Sequence, residues 1–416
     1  LFTAATRKKR IRGDLGALEI DKGRYLRRRA AELDAARTDD ERVSSRVLAA
    51  EQSNTSILYD DALFLKLFRK LENGTNPDVE LTRYLGEKRR TDVVPTYGGS
   101  LTYVDAEGDR SALGLLIEYI PNQGDAWRYT NDAVHRFFET ILVESDSPDA
   151  MGKIPTSLLD VAPSTVPDEF LERVDGFFLE MIELLGRRTG ELHLALAGET
   201  TNPAFAPEPF SKLYQRSLYQ SLRSLTRRVV GTMKKAHRTV DDDLRDEVAS
   251  FVERESEILD RFRAITAAKI DAKKIRIHGD YHLGQVLFTG RDFVVIDLEG
   301  EPARTLSERR LKFSAFRDVA GMLRSFHYAI SGSYLETTAL RPEDGERLEP
   351  WIKPWYTLVG GTFLHGYLST VDGASFVPGD TESIATALEV FLLEKAVYEV
   401  GYEINNRPDW LRIPLD

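Results

Sequence analysis

Hydrophobic and polar residues alternate along several short segments in the first third of the chain, a pattern that predicts half-buried strands. The clearest alternation runs over 62–68, and the acidic pair Asp60-Asp61 in front of it predicts a tight turn. Two more strands are predicted over 47–50 and 55–59, on either side of a polar turn at 51–54. The region is therefore expected to consist of short strands joined by turns.

A helix and another hairpin follow in the same region. Asn76-Pro77-Asp78 places a proline at a helix start with acidic residues around it, which predicts a helix that runs to about Arg90. Strands are predicted over 100–104 and 112–120, around the polar turn Glu107-Gly108-Asp109. Proline at position 121 is expected to end the second strand.

Beyond residue 121 the apolar residues recur with the 3.6-residue period of helices, and a stretch rich in Asp, Ser and Pro over 145–165 predicts a loop. The pattern predicts an α+β, bilobal, protein-kinase-like fold, with a β-rich N-lobe over 1–120 and a helical C-lobe over 121–416. The helices are predicted over 124–144, 168–194, 207–236, 241–268, 307–331, 347–371 and 380–406, and short strands over 274–277, 285–289 and 293–297.

Composition limits the class of protein. The chain has 416 residues, of which 42% are hydrophobic, so a large core can form. The net charge of −11, without a long basic face, argues against nucleic acid as the main partner. Cysteine is absent, which fits a reducing cytoplasm, the expected location. Neither a membrane-length apolar run nor a secretory signal is visible, and a first residue of Leu indicates a fragment or a missing beginning.

Three residues near position 290 carry the main chemical signal. Asp280 precedes Gln285 by five residues, the spacing of Asp and Asn in the kinase catalytic loop, and Asp297 ends a nearby apolar run. A carboxylate that accepts the proton of an acceptor hydroxyl, together with oxygen ligands for Mg²⁺, is what phosphoryl transfer requires. Asp280 is therefore the expected general base, Gln285 and Asp297 are the expected metal ligands, and ATP with Mg²⁺ is the expected phosphoryl donor.

The predicted N-lobe supplies candidate nucleotide contacts. Lys66 lies in the strand over 62–68, where a kinase places the lysine that holds the ATP phosphates, and Glu80 on the next helix is its expected partner. No glycine-rich phosphate loop occurs, but the polar turn between two strands has small hydroxyl residues and backbone amides that could cover phosphates. Further nucleotide contacts are expected from Gln52, Ser53, Asn54, Thr55 and, at the lobe junction, Glu118.

The last long helix carries a polar and aromatic face. Its residues recur at intervals of three and four, so they project from one side of the helix. Aromatic rings of this kind stack on the apolar faces of sugars, although an ordinary solvated helix face would look similar. The face consists of Lys395, Tyr398, Glu399, Tyr402 and Asn406.

Several motifs together resemble bacterial maltokinases, both stand-alone and fused to trehalose synthase. The similarity extends nearly from end to end. The motifs are Ala50–Ser56, Lys66–Arg69, Asn76–Asp78, Pro121–Trp127, His278–Gln285, Ile296–Pro302 and Glu394–Trp410.

The resemblance implies an aminoglycoside-phosphotransferase-like fold and transfer of phosphate from Mg·ATP to the anomeric hydroxyl of maltose. The product, maltose 1-phosphate, would feed α-glucan synthesis, and trehalose synthase would be a partner. The matched motifs carry over the roles of Asp280, Gln285, Asp297, Lys66 and Glu80 given above. The sugar contacts implied by the resemblance are His282, Lys395, Tyr398, Glu399, Tyr402 and Arg407.

One feature of the family is missing, and two alternatives stay open. Maltokinases begin with an aromatic-rich cap subdomain that nothing here matches, so residues 1–120 are expected to follow a cut or absent cap. Another sugar kinase of the same branch, acting on an aminosugar such as glucosamine, would share the catalytic loop. A non-catalytic partner of trehalose synthase is the other alternative, against which the intact Lys66, Asp280, Gln285 and Asp297 argue.

Overall fold

The structure, a computed structural model, describes residues 9–35, 43–48, 54–144, 148, 155–162, 166–238, 240 and 242–415. Two compact units divide the chain. The first unit extends from Leu1 to Gly124, slightly past the expected boundary at residue 120, and also includes two later segments that the sequence assigned to the C-lobe. These segments are His278–Asp280 and Gln285–Leu311; the second unit comprises Asp125–Ile277, Tyr281–Gly284 and Lys312–Asp416.

In the described part of the first unit, seven strands form one antiparallel sheet in the order β1-β2-β6-β7-β5-β4-β3. One face of the sheet is buried by an apolar cluster around Leu26, Leu63 and Leu65. The strands are β1 (Arg10–Arg12), β2 (Gly16–Lys22), β3 (Ser45–Leu48), β4 (Asn54–Tyr59), β5 (Leu63–Phe68), β6 (Tyr97–Asp105) and β7 (Arg110–Glu118).

The predicted hairpins are confirmed. Asp60 and Asp61 join β4 to β5 with φ angles of +47° and +46°, in the left-handed region that Asp tolerates better than most residues. Gly108, with φ +94°, lies in the turn between β6 and β7. The local turn chemistry of the sequence thus predicted the strands that pair within hairpins, whereas the pairings of β2 with β6 and of β5 with β7 join strands that no turn connects.

The predicted helix after residue 76 is also confirmed, and its second half is π-helical instead of α-helical. Helix α2 (Pro77–Arg83) begins where the Asn76 side chain accepts a hydrogen bond from the Val79 N–H at 3.2 Å. It continues as a π-helical segment, Tyr84–Arg89, and ends at Arg90, whose φ is +53°.

The sequence analysis assigned no element to the first 46 residues, where the structure has β1, β2 and helix α1 (Arg24–Ala35). Charged residues in β2 conceal its alternation. Glu19 pairs with Arg110 at 2.7 Å, and Asp21 pairs with Arg83 at 3.2 Å. Because these partners are distant in the sequence, the polar positions of β2 resembled a loop.

The small elements that complete the first unit lie in its later segments. β10 (Val286–Phe288) pairs with β11 (Phe293–Val295) in an antiparallel hairpin, close to the predicted strands. The helix predicted over 307–331 is instead a single turn, α9 (Leu306–Arg309), followed after a break by the long helix α10 (Phe316–Leu340) of the second unit.

The second unit is helical, as predicted. Two predicted helices are interrupted: one at Asp175, where φ is +71°, and one at Arg254. A minor pair of strands, β8 (Glu208–Pro209) and β9 (Lys273–Lys274), accompanies the helices. Besides α10, the helices are α3 (Ala126–Val143), α4 (Asp168–Val174), α5 (Gly176–Ala197), α6 (Lys212–Ala236), α7 (Asp242–Glu253), α8 (Glu255–Arg263), α11 (Gly345–Thr370), α12 (Thr381–Asn406) and α13 (Arg412–Leu415).

The core of the second unit depends on close contact between α5 and α11. A Cβ atom at Gly186 would lie 2.1 Å from the carbonyl oxygen of Phe363, and one at Gly366 would lie 2.3 Å from that of Glu183. Glycine at both positions lets the two helix backbones approach each other. Among the helices that the structure describes, none is both long and apolar enough to cross a membrane.

Candidate functional site

Lys66 is the centre of a buried charge cluster in the first unit. Lys66 lies on β5, and only 6% of the residue is exposed, although a lysine on a strand commonly points to solvent. The ammonium donates to Asp78 Oδ2 at 3.0 Å and to Asp297 Oδ1, and lies 3.6 Å from Glu299 Oε2. Residues more than 200 positions apart in the sequence thus converge on one cation.

The electrostatics of the cluster keep the lysine charged. Burial alone would lower the pKa of Lys66, but the three carboxylates outweigh this effect and raise it. Burial also opposes ionisation of Asp297, yet the Lys66 charge holds the pKa of that carboxyl below its ordinary value. The pKa of Glu299 is raised, chiefly by burial. Arg309 lies 3.8 Å from Glu299 and is a second cation of the cluster. Together, Lys66 and Arg309 face three carboxylates, those of Asp78, Asp297 and Glu299.

The expected pairing of Lys66 with Glu80 is wrong. Glu80 accepts two hydrogen bonds from Arg310, at 2.9 and 2.7 Å, and Asp78 is the partner of Lys66 on helix α2. Positions 78 and 80 are two residues apart, so they point to nearly opposite sides of a helix.

A sequence signal for Asp78 did exist. Asp78, Leu81 and Thr82 are spaced by three and four residues and form the buried face of α2. The Asp78 carboxylate is fully engaged there: it also accepts the Leu298 N–H at 3.2 Å and the Thr82 hydroxyl at 3.3 Å. Asp78 therefore connects Lys66 to the backbone that follows Asp297.

The backbone around Asp297 brings the two predicted metal ligands into contact. After β11, the Ile296 N–H donates to the Gln285 carbonyl at 2.9 Å, and Asp297 adopts a left-handed conformation with φ +61°. This conformation is uncommon for a residue other than glycine and occurs often at functional sites. The Gln285 amide then donates to Asp297 Oδ2 at 3.3 Å.

The predicted catalytic loop is held by His278. Its Nε2 donates to the Ile296 carbonyl at 2.9 Å, while its Nδ1 accepts the backbone N–H of Asp280 at 3.4 Å. Both bonds fit one neutral tautomer, with the proton on Nε2. The imidazole thus connects the backbone of the expected base to the segment that carries Asp297.

The donor set suits Mg²⁺ in a nucleotide complex. Asp297 offers a charged oxygen and Gln285 an amide oxygen, and across the described ranges no three His, Cys, Asp or Glu side chains form a metal-binding group. Mg²⁺ is usually held by one or two carboxylates, water and substrate phosphates, and not by a complete protein cage. The residues present therefore fit a magnesium ion whose remaining ligands come from ATP and water.

Of the other expected nucleotide contacts, two lie outside the described residues and three lie in strands of the first unit. Gln52 and Ser53 lie outside the described residues. Asn54 and Thr55 belong to β4, and the Thr55 hydroxyl accepts a hydrogen bond from Arg69 at 3.2 Å. Glu118 ends β7 and accepts a hydrogen bond from the Thr96 hydroxyl. Their role in nucleotide binding stays a prediction.

In the second unit, the two tyrosines of the expected sugar face lie next to cationic side chains. On α12 the Lys395 ammonium lies 5.0 Å from the centre of the Tyr398 ring, and Tyr402 is 46% exposed. Arg407 lies 5.8 Å above the Tyr402 ring and 4.7 Å above that of Trp410. The helix thus presents aromatic rings accompanied by cations.

Other members of the expected face are engaged in ion pairs. Glu399 is buried and accepts a hydrogen bond from Arg324 Nε at 2.8 Å, while Arg407 donates to Glu403 at 3.0 and 2.7 Å. The sequence analysis singled out neither Arg324 nor Glu403, although the apolar residues around Arg324 in α10 were a local signal of its burial.

His282 is part of the loop's own hydrogen bonding. Its Nδ1 accepts the Gly284 N–H at 3.1 Å. Beside it, the hydroxyl of the buried Tyr281 forms a 2.8 Å hydrogen bond with that of Thr189 on α5. These contacts fix the shape of the segment after Asp280; a sugar contact by His282 stays a prediction.

Comparison with known proteins finds similarity to phosphotransferases. Residues 179–300 match the Phosphotransferase enzyme family. The glucosamine kinase of Mycolicibacterium smegmatis is 23% identical over 378 residues, which cover 89% of this chain and 77% of that protein. The glucosamine kinase of Streptacidiphilus jiangxiensis is 21% identical over 372 residues, which cover 89% and 71%, respectively.

Solved structures establish the fold. A crystal form of a glucosamine kinase superposes with a TM-score of 0.63 at 19% identity, covering 93% of this chain and 79% of that one. A glucosamine kinase in complex with glucosamine, ADP and inorganic phosphate gives a TM-score of 0.61 at 18% identity, covering 96% and 86%. The chain has the aminoglycoside-phosphotransferase-like kinase fold predicted from its sequence, and the family match supports ATP and Mg²⁺ as cofactors. These relatives do not support the finer prediction of a maltokinase associated with trehalose synthase.

Proposed function

We propose that this protein is a sugar kinase that transfers the γ-phosphoryl group of Mg·ATP to a sugar hydroxyl. The observation that carries the proposal is the convergence of Lys66, Asp78 and Asp297 in one buried cluster, next to a loop in which His278 ties Asp280 to the same segment. Magnesium, when bound, would neutralise the phosphate charge that develops during transfer. Proton transfer, phosphate binding and metal ligation are each carried out by side chains.

Asp280 positions the acceptor hydroxyl and takes up its proton as the oxygen bonds to phosphorus and the bond to the ADP oxygen breaks. Lys66 binds the phosphates of ATP, and Asp78 keeps its ammonium in place. Asp297 and Gln285 provide the metal ligands. A loose transition state of this kind depends mainly on positioning and charge, which a cluster preassembled by hydrogen bonds can supply.

For the acceptor we propose an aminosugar such as glucosamine. The support comes from the two relatives named as glucosamine kinases, each of which aligns over 89% of this chain. The catalytic cluster itself does not discriminate among sugars, since it contacts only phosphate, metal and one hydroxyl. Selection is expected to depend on helix α12 of the second unit.

Maltose is the second candidate, and the aromatic residues of α12 favour it. Tyr398 and the exposed Tyr402 offer rings on which a neutral disaccharide can stack. In addition, Glu399 and Glu403 are already paired with Arg324 and Arg407, which reduces the negative charge available to a substrate ammonium. In this version of the proposal, trehalose synthase would be a functional partner that supplies maltose.

The decisive experiment measures ADP release with glucosamine, maltose, glucose and trehalose as acceptors, each at several concentrations with Mg·ATP. Glucosamine should give the highest kcat/KM, and ³¹P NMR of the product should show a phosphate monoester. A preference for maltose with an anomeric phosphate would replace the first candidate with the second. Absence of sugar-dependent ADP release with every acceptor would refute the kinase proposal.

A further inference from the structure

The second unit contains a cavity that the proposed kinase function does not use. Its volume is about 530 Å³, within the range of roughly 300–1,000 Å³ that is typical of small-molecule sites. Helices α7, α8, α10, α11, α12 and α13 contribute to its wall. The wall is mostly apolar and includes Leu158, Phe251, Ile258, Leu388, Leu392 and Pro414.

One buried cation lines this cavity with an incomplete set of hydrogen bonds. Arg324 is 8% exposed, and its Nε donates to Glu399. Its Nη2 is also buried but has no hydrogen-bond partner among the residues that the structure describes. Burial opposes the charge of this guanidinium, yet Glu399 raises its pKa, so it stays protonated. A buried N–H without an acceptor is costly, and an added acceptor would remove that cost.

Tyr356 lies in the same wall and can act as a second donor. Burial raises the pKa of its hydroxyl to about 12, so the proton is retained at neutral pH. His327, whose ring centre is 5.2 Å from that of Tyr356, is kept neutral because burial lowers its pKa. The polar end of the cavity thus has donors and one positive charge.

The remaining charges of the wall are also mainly positive. Among the described residues, Arg254 and Arg261 line the cavity together with one carboxylate, that of Glu389. Arg261 pairs with Glu389 at 2.9 Å, and Arg254 pairs with Glu257 at 2.9 and 3.1 Å. Side chains in both pairs are roughly half exposed, and such surface pairs contribute only about 0–1 kcal/mol. An anion could therefore draw either arginine toward itself at little cost.

We propose that this cavity binds an amphiphilic carboxylate, with the carboxylate against Arg324 and Tyr356 and the apolar chain among the leucines. The site is separate from the expected sugar face, because Lys395, Tyr398 and Tyr402 do not line it. A neutral apolar ligand would leave Arg324 Nη2 without an acceptor. A purely polar anion would leave the leucine-rich wall in contact with water.

Calorimetric titration of octanoate into the full chain tests the proposal, with 1-octanol and acetate as matched probes. Octanoate should bind saturably with one site per chain. Octanol lacks the charged head group and acetate lacks the apolar chain, so each should bind at least about tenfold more weakly. Failure of octanoate to saturate, or equal affinity for octanol, would overturn the proposal.

Two variants locate the site. Leu392→Trp fills the cavity and leaves Arg324 in place, and the double change Arg324→Met with Glu399→Gln removes the cation without leaving Glu399 buried and unpaired. Each should weaken octanoate binding at least about tenfold, whereas Leu213→Trp, on the exposed part of α6, should leave it unchanged. Circular dichroism checks folding, and unchanged octanoate affinity in either folded cavity variant would show that the ligand binds elsewhere.

Discussion

The buried charges of the two units are organised in opposite ways. In the first unit, the Lys66 ammonium faces three carboxylates, those of Asp78, Asp297 and Glu299. In the second unit, buried glutamates have individual arginine partners: Arg324 with Glu399, and Arg407 with Glu403. A one-to-one pair leaves little net negative charge for a substrate cation, whereas an excess of carboxylates around a lysine attracts a further cation.

This difference shows where an added group would gain binding energy. Mg²⁺ would relieve the excess negative charge around Lys66, and it would use oxygens that the protein already holds in place. In the helical unit, the glutamates of α12 are engaged in ion pairs, and recognition of the acceptor is proposed to depend on the tyrosines beside them. We therefore propose that the first unit performs the chemistry and that the second unit selects the acceptor.

The largest effect that separates the two units is expected from Asp280→Asn. Loss of the general base should lower kcat about 10²–10⁴-fold, while the affinity for Mg·ATP stays within about twofold of wild type. Stopped-flow or steady-state ADP release measures the rate, and calorimetry measures the affinity. Asp61→Asn, in the turn after β4, is the control and should behave like wild type. Retention of more than about a tenth of the wild-type rate by Asp280→Asn would exclude Asp280 as the base.

An intermediate effect should distinguish the two acids of helix α2. Asp78→Asn removes a buried partner of Lys66 and should lower kcat/KM for ATP at least about tenfold, which corresponds to ~1.4 kcal/mol. It should also lower the melting temperature, because breaking a buried ion pair is destabilising. Glu80→Gln affects only the contact with Arg310 and should change kcat/KM less than about threefold. The opposite ranking would restore Glu80 as the partner of Lys66.

The smallest effect is expected on the helical unit. Tyr398→Ala and Tyr402→Ala should each raise the KM for the sugar about threefold to tenfold, since an aromatic contact contributes about 0.5–1.5 kcal/mol. The KM for ATP should not change, and Asn405→Ala on the same helix is the control. An increase confined to the KM for ATP would contradict the assignment of acceptor selection to α12.

The amino-acid sequence by itself determined the secondary structure of most of the described chain and predicted several candidate site residues. Turn chemistry at Asp60-Asp61, the proline start of α2 and the helical periodicity after residue 121 are local signals, and they predicted neighbouring elements correctly. The candidate site residues Lys66, Asp280, Gln285 and Asp297 were predicted from their positions in strands and loops, and their roles stay predictions. The strands and helix over 10–35 were missed; in β2, charged residues whose partners lie far away in the sequence, on β7 and on α2, concealed the alternation.

Only the tertiary structure decided which charges meet. Lys66 and Asp297 are 231 residues apart, and the Asp78 carboxylate accepts a backbone N–H from 220 residues away. Asp78 replaced Glu80 because the buried face of α2 turns toward β5, and Glu399 proved to be an ion-pair partner of Arg324 because α10 packs against α12. Periodicity records which side of an element is apolar, but the partner of a buried charge is set by long-range packing. That packing must pair or neutralise the charge once water is excluded.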